Sequence, residues 1–252
     1  MSFSVDQSWL EAVMLASVRM VAFLVVAPPF SYRAFPARVK AMLGVGLALA
    51  VAPRVADGYE SLATGPFVVA LVLELLVGAL LGFLVLVVFA AVQSAGSLID
   101  LFGGFTVAQA FDPQSMVNGA QFTRLLQMTA LALLFATGGH QLIIGGLTRS
   151  FDAFPLGLGM DLEHPVELLT SLVGQMFLAT VQIAGPLCVV LFLADVGLGL
   201  LTRVAPALNA YAMGFPLKIL MTVMLAGGTL LALPGVVTAL TGDAADALLG
   251  VR

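Results

Sequence analysis

The sequence predicts an all-α membrane protein with about six long apolar helices, on two observations. Hydrophobic residues make up 61% of the 252 positions and charged residues 10%, against roughly 45–50% and about 25% in a soluble domain. With a mean hydropathy of +1.11, the chain has too little charge to cover a water-facing surface. Second, apolar stretches of helix length recur along it, parted by short breaks carrying Pro, Gly or charge.

The first run is Trp9 to Ala27, with Glu11 at one end and Arg19 near its middle. It stops at Pro28-Pro29, because proline has no N–H and restrains the residue before it. The preceding MSFSVDQS has no basic region, and the run leads to APPF rather than a small-residue cleavage site. These features favour a retained first span over a signal peptide. The second run, Ala41 to Ala52, ends at Pro53 and Arg54. It gives about 18 Å of helix against a hydrocarbon core of about 30 Å, so it is a half-span or one arm of a hairpin.

The third run, Pro66 to Gln93, contains one charge, Glu74. A helix of about 42 Å must tilt or protrude. Beyond it lie SAGSLIDLFGGFTVAQA, only half apolar, and FDPQSMVNGAQ (111–121), whose Asp-Pro and Asn-Gly break any helix. The fourth run, Phe122 to Leu147, is interrupted by GGHQ at Gly138–Gln141. The segment Thr148–Gln175 reads as an acidic loop with the start of a helix in VELLTSLVGQ. The fifth run, Met176 to Leu201, holds Pro186 and Asp195, and 202–218 reads as a loop bearing Arg203 and Lys218. The sixth run, Ile219 to Leu240, carries Gly227-Gly228 and Pro234 before a short acidic tail.

Charge sets an orientation. Segment 28–40 has Arg33, Arg38 and Lys40 without an acid, and 202–218 has Arg203 and Lys218 without one. Segments 53–65 and 148–175 are dominated by acids. The positive-inside rule places the first two in the cytoplasm and the other two outside, with both termini outside.

Catalytic and metal chemistry find little support. The chain has no HExxH, GxSxG or GxxxxGK[ST]. His140 and His164 stand without clustered carboxylates or thiols, so no metal site is expected. Cys188, the single cysteine, lies in an apolar run and reads as a small buried hydrophobe. The ten Lys and Arg are scattered, which argues against nucleic acid as a partner. No cofactor is expected, and no enzyme. The intramembrane charges Arg19, Glu74 and Asp195 carry the strongest physical signal, since an unpaired charge in lipid costs several kcal/mol. They read as structural, with Arg19–Glu74 a candidate pair; a proton path is the alternative. Gly78 and Gly82 form a GxxxG that serves close helix packing, within the chain or between subunits.

Four stretches in this order, RMVAFLVVAPPFSYRAFPARVKAMLGVGLALAVAP (19–53), AAVQSAGSLIDLFGGFTVAQAFDPQS (90–115), TGGHQLIIGGL (137–147) and GLLTRVAPALNAYAMGFPLK (199–218), resemble the FliR/SctT-like export-gate family of type III secretion. The likeness covers nearly the whole chain and implies a single domain over 1–252, with 1–121 and 122–252 as two helical halves. It implies helical hairpins that assemble into a helical export-gate complex in the bacterial inner membrane at the flagellar basal body. The implied partners are FliP-like and FliQ-like gate subunits, an FlhB-like switch protein and exported unfolded flagellar subunits. The implied role is a non-catalytic share of the export pore, and the segment after the third run is implied to plug it. Carried onto this sequence, the plug falls on 105–121. Phe105, Phe111, Met116 and Val117 would fill a lumen, while Asp112, Pro113, Asn118 and Gly119 would let the segment swing aside. A virulence-type gate subunit is the near alternative and a secondary transporter the distant one. A transporter would show inverted repeats and several midplane carboxylates, and neither is evident.

Overall fold

A computed structural model describes residues 6–32, 35–106, 121–157, 163–204 and 210–249. These residues form seven helices: α1 (Gln7–Val26), α2 (Ala37–Val55), α3 (Thr64–Phe102), α4 (Gln121–Ala136), α5 (Gly139–Ala153), α6 (Glu163–Val204) and α7 (Ala210–Leu249). Among the described residues there is no strand. The chain is an all-α membrane protein. Four helices, α1, α3, α6 and α7, are long and apolar enough to cross a bilayer, or five spans if α4 and α5 count as one broken span.

Several helices run further than the sequence breaks suggest. Pro53 sits inside the last turn of α2, and Arg54 remains helical. Pro186 lies within α6, and Pro216 and Pro234 within α7. A proline removes one N–H donor, but a long apolar helix has nowhere else to satisfy the rest of its backbone. Segments expected as loops are therefore partly helical. Residues 94–102 extend α3, 148–153 complete α5, and α6 begins at Glu163. Arg203 ends α6 and Lys218 lies inside α7, so the expected loop 202–218 shrinks at both ends. The sequence expectation underestimated how far helices persist through Pro and Gly in apolar surroundings.

Glycine supplies the real stops. α3 ends where the Gly103 N–H bonds the Ile99 carbonyl at 2.8 Å and Gly104 turns to φ +82°, a left-handed exit that favours glycine. The break between α4 and α5 falls at Gly138, with φ +74°. At the start of α1, the Asp6 carboxylate accepts from the Ser8 N–H at 3.2 Å and caps the first turn.

Two compact units divide the chain. The first gathers 1–88, 138–173 and 241–252. Its core is α1, whose Leu15, Met20, Phe23 and Leu24 are fully buried with Leu81 and Leu84 of α3 and Ile143 and Leu147 of α5. Glycines let the backbones approach. A β-carbon at Gly78 would overlap the Arg19 carbonyl, one at Gly82 would meet the Phe23 carbonyl, and one at Gly44 of α2 would strike Val21. The GxxxG of α3 thus packs against α1 of the same chain.

The second unit gathers 89–137 and 174–240. Ile99, Leu126, Leu134, Leu191 and Leu233 are buried in it. Thr180 on α6 donates to the Ala91 carbonyl of α3 at 3.4 Å.

Candidate functional site

Three charged centres and one junction stand out against the apolar background. The first centre lies in the first unit. Arg19 and Glu74 are each 1% exposed, and they meet as a two-point pair. Arg19 Nε donates to Glu74 Oε2 at 2.5 Å and Nη2 to Oε1 at 2.9 Å. The fork has further acceptors: Nη1 donates to the Ser150 carbonyl at 3.3 Å and Nη2 to the Phe154 carbonyl at 2.9 Å. These carbonyls lie at the C-terminal end of α5, where a cation meets the negative end of the helix dipole. The guanidinium also lies 4.2 Å from the centre of the Phe151 ring. Glu74 accepts one more bond, from the Gly157 N–H at 3.2 Å. A buried ion pair is tolerated only when such bonds satisfy its remaining donors and acceptors. The centre therefore ties α1, α3 and α5 together.

One end of the first unit is polar. Glu11 accepts from the Leu62 N–H at 3.0 Å and from Gln7 Nε2 at 2.8 Å. Arg54 pairs with Asp152 at 2.6 Å, both well exposed. Burial and the neighbouring Glu11 carboxylate raise the Tyr59 phenol above its ordinary pKa. The start of α1, the 53–65 turn and the end of α5 thus share one end, which is the grouping the charge pattern requires.

The second centre is Asp195, which does not join Arg19 or Glu74. It pairs with Lys218 of α7 within the second unit. The Asp195 side chain is 42% exposed and the Lys218 side chain 14%. The pair edges a cavity of about 380 Å³ lined also by Leu198, Gly199, Thr202, Gly214 and Phe215. Sequence reading assigned Lys218 to a loop and so left Asp195 without its partner. Their proximity follows from the hairpin that α6 and α7 make.

The third centre was missed altogether. Asp100, fully buried near the end of α3, accepts from the Phe122 N–H at 2.9 Å, the Thr123 N–H at 2.8 Å and Thr123 Oγ1 at 2.7 Å. It therefore caps α4 from another helix, and among the described residues no cation pairs with it. The only signal available was a carboxylate in SAGSLIDLF followed, beyond a break, by a run opening on Phe-Thr.

The same bonds build the junction. Phe105 meets Phe122 edge to face with ring centres 5.2 Å apart. Ser97 and Thr123 hydroxyls lie 3.3 Å apart, and a β-carbon at Gly96 would strike the Thr123 backbone. The described residues on either side of 107–120 are thereby held against each other. Of the proposed plug residues, Phe105 is at this junction, half-buried. Phe111, Asp112, Pro113, Met116, Val117, Asn118 and Gly119 lie outside the described residues.

Among the described residues no three His, Cys, Asp or Glu side chains gather as a metal site would require. His140 is half-buried at the start of α5, and Cys188 is half-buried in α6.

The sequence model of the family described as "Bacterial export proteins, family 1" matches residues 10–244. The chain belongs to this family. It is 34% identical over 225 residues to "Flagellar biosynthetic protein FliR" of Pectobacterium carotovorum subsp. carotovorum, covering 87% of this chain and 84% of that protein. It is 33% identical over 213 residues to the Escherichia coli K12 protein of the same name, covering 84% and 81%. "Yop proteins translocation protein T" of Yersinia pestis is 29% identical over 147 residues, 58% of this chain and 56% of its own. The match starts within α1 and ends within α7, so it touches all seven helices.

Proposed function

We propose that this protein is a non-catalytic subunit of the type III secretion export gate in the bacterial inner membrane, and that it contributes to the pore for unfolded flagellar proteins. The whole chain acts as one export-gate domain, beside FliP-like and FliQ-like subunits and an FlhB-like switch protein. The flagellar branch is favoured by the coverage: the flagellar relatives align over more than four-fifths of the chain, the virulence-type relative over 58%. The charged centres support a structural rather than a transport role, because Arg19 and Glu74 are saturated with hydrogen bonds.

The single observation that carries the pore reading is the junction of Asp100, Phe105, Phe122 and Thr123. It brings together residues that flank the segment 107–120, in which the proposal puts the plug residues Phe111, Asp112, Pro113, Met116, Val117, Asn118 and Gly119. Non-helical backbone at membrane depth is tolerated only inside protein or along a watery cavity, and a pore offers both. Deleting 107–120 in the assembled gate is expected to raise ion leakage across the membrane. Conductance equal to that of the wild-type gate would contradict the plug.

A further inference from the structure

We propose that α2 is a docking face for anionic phospholipid, with Arg38 at the headgroup and the acyl chains along Met42, Val45 and Leu49. This goes beyond the export-gate reading and does not depend on it. α2 is not among the helices long and apolar enough to cross a bilayer, yet most of it is apolar and exposed. Its buried residues are Gly44, Ala48 and Ala52, and Gly44 abuts Val21 of α1. Away from them, Met42 is 75% exposed, Leu49 47% and Val45 42%. At helical spacing these three fall in one row, and Arg38, also exposed, heads it. An apolar face of this kind marks a surface that something other than water covers.

Charge identifies the cover. Arg38 and Lys40 lie at the start of α2, whose first turn has no acid, and among the described residues no acid pairs with either. The helix dipole disfavours cations there, so the helix itself gives no reason for them. Beyond them, 41–53 carries no charge and gives about 20 Å of helix, more than the roughly 15 Å of hydrocarbon in one leaflet. Arg54, at the other end, is already paired with Asp152. Just before α2, at the cationic end, Tyr32 is half-buried and Phe35 is exposed. Cations beside aromatic side chains at one end of an apolar stretch form the pattern of a headgroup boundary, where the long stems of Arg and Lys reach phosphate. A protein partner is more often anchored by aromatic side chains near the centre of the face, and α2 contains none. Lys40, two residues after Arg38, lies on a different flank and is secondary.

The test uses the full chain with Cys188→Ala and Met42→Cys, labelled at 42 with a fluorophore, in bilayers of phosphatidylcholine and phosphatidylglycerol. One lipid at a time is brominated on its acyl chains, and quenching gives the relative affinity of the two at α2. A preference for phosphatidylglycerol of about five-fold is expected, the worth of one cation at an anionic surface, and rising salt is expected to narrow it. Arg38→Gln is expected to remove most of the preference and Lys40→Gln less of it, while Arg38→Lys, which keeps the charge, is expected to retain it. A fluorophore placed through Leu231→Cys on α7, where the side chain is exposed, is expected to be quenched alike by both lipids. The same reading on the complex purified from its native membrane separates lipid from a partner subunit. Equal quenching by the two lipids at 42, or a preference unchanged by Arg38→Gln, overturns the site. So does loss of all quenching at 42 in the complex, which would assign the face to a partner subunit. A chain that yields no complex would contradict the export-gate reading, while the lipid preference of the chain alone still decides this one.

Discussion

The two units each hold an ion pair between helices, and the pairs differ in what surrounds them. Arg19 and Glu74 are sealed, and both are held by several hydrogen bonds. Asp195 and Lys218 sit at the edge of a cavity, with the carboxylate 42% exposed. The difference is one of dielectric and of partners. A sealed pair whose partner is removed leaves a charge with no water to receive it, whereas an open pair is exchanged for hydration. The first is expected to matter for folding, and the second to tolerate change.

The sharpest way to break the comparison is Arg19→Ala. It strands Glu74 and uncaps α5, and is expected to destabilise the protein by about 3–5 kcal/mol, read as a fall in thermal midpoint in detergent. Exchanging the two charges, Arg19→Glu with Glu74→Arg, is not expected to rescue it. A carboxylate at 19 would face the Ser150 and Phe154 carbonyls, which need donors. Full rescue by the exchange would mean that those carbonyls contribute nothing.

Next in size is the glycine contrast. Gly78→Ala drives a methyl into the Arg19 carbonyl, and overpacking of this kind costs about 1–3 kcal/mol. Gly197→Ala, where nothing lies within 4 Å, is expected to stay within about 0.5 kcal/mol. Equal effects in the same melting experiment would show that the backbone contact of α1 and α3 is not what Gly78 serves. Smaller still, Asp195→Asn is expected to shift stability by no more than about 1 kcal/mol, since the Asp195 carboxylate is partly exposed at a cavity edge. A loss as large as that of Arg19→Ala would give the second pair the same weight in folding.

Much of this was legible in the sequence and some was not, for physical reasons. Composition and apolar run length predict a helical membrane protein, because lipid leaves the backbone no alternative. The same constraint explains the errors of extent. Pro53 reads as a break and Pro216 as part of a loop, yet helix continues around each. Arg19 and Glu74 were findable as a pair because each is a lone charge deep in an apolar run. Lys218 was not findable as the partner of Asp195 while it was counted as loop. Asp100 escaped notice because two of its three partners are backbone N–H groups, which carry no residue identity. The GxxxG was visible, but only the packing shows that it serves α1.

The pattern of exposure bears on the central claim. In the candidate spans of α1 and α3, 56% and 61% of the most apolar window is buried, against 28% in α6 and 17% in α7. A gate subunit is expected to spend the exposed faces on lipid and on neighbouring subunits. The most direct measurement is to purify the tagged protein from its native membrane under mild detergent and identify what accompanies it. The FliP-like and FliQ-like subunits are expected in a defined complex with it, and less of that complex is expected with the destabilised Arg19→Ala chain. A chain recovered alone from membranes that contain both subunits would contradict a place in the export gate.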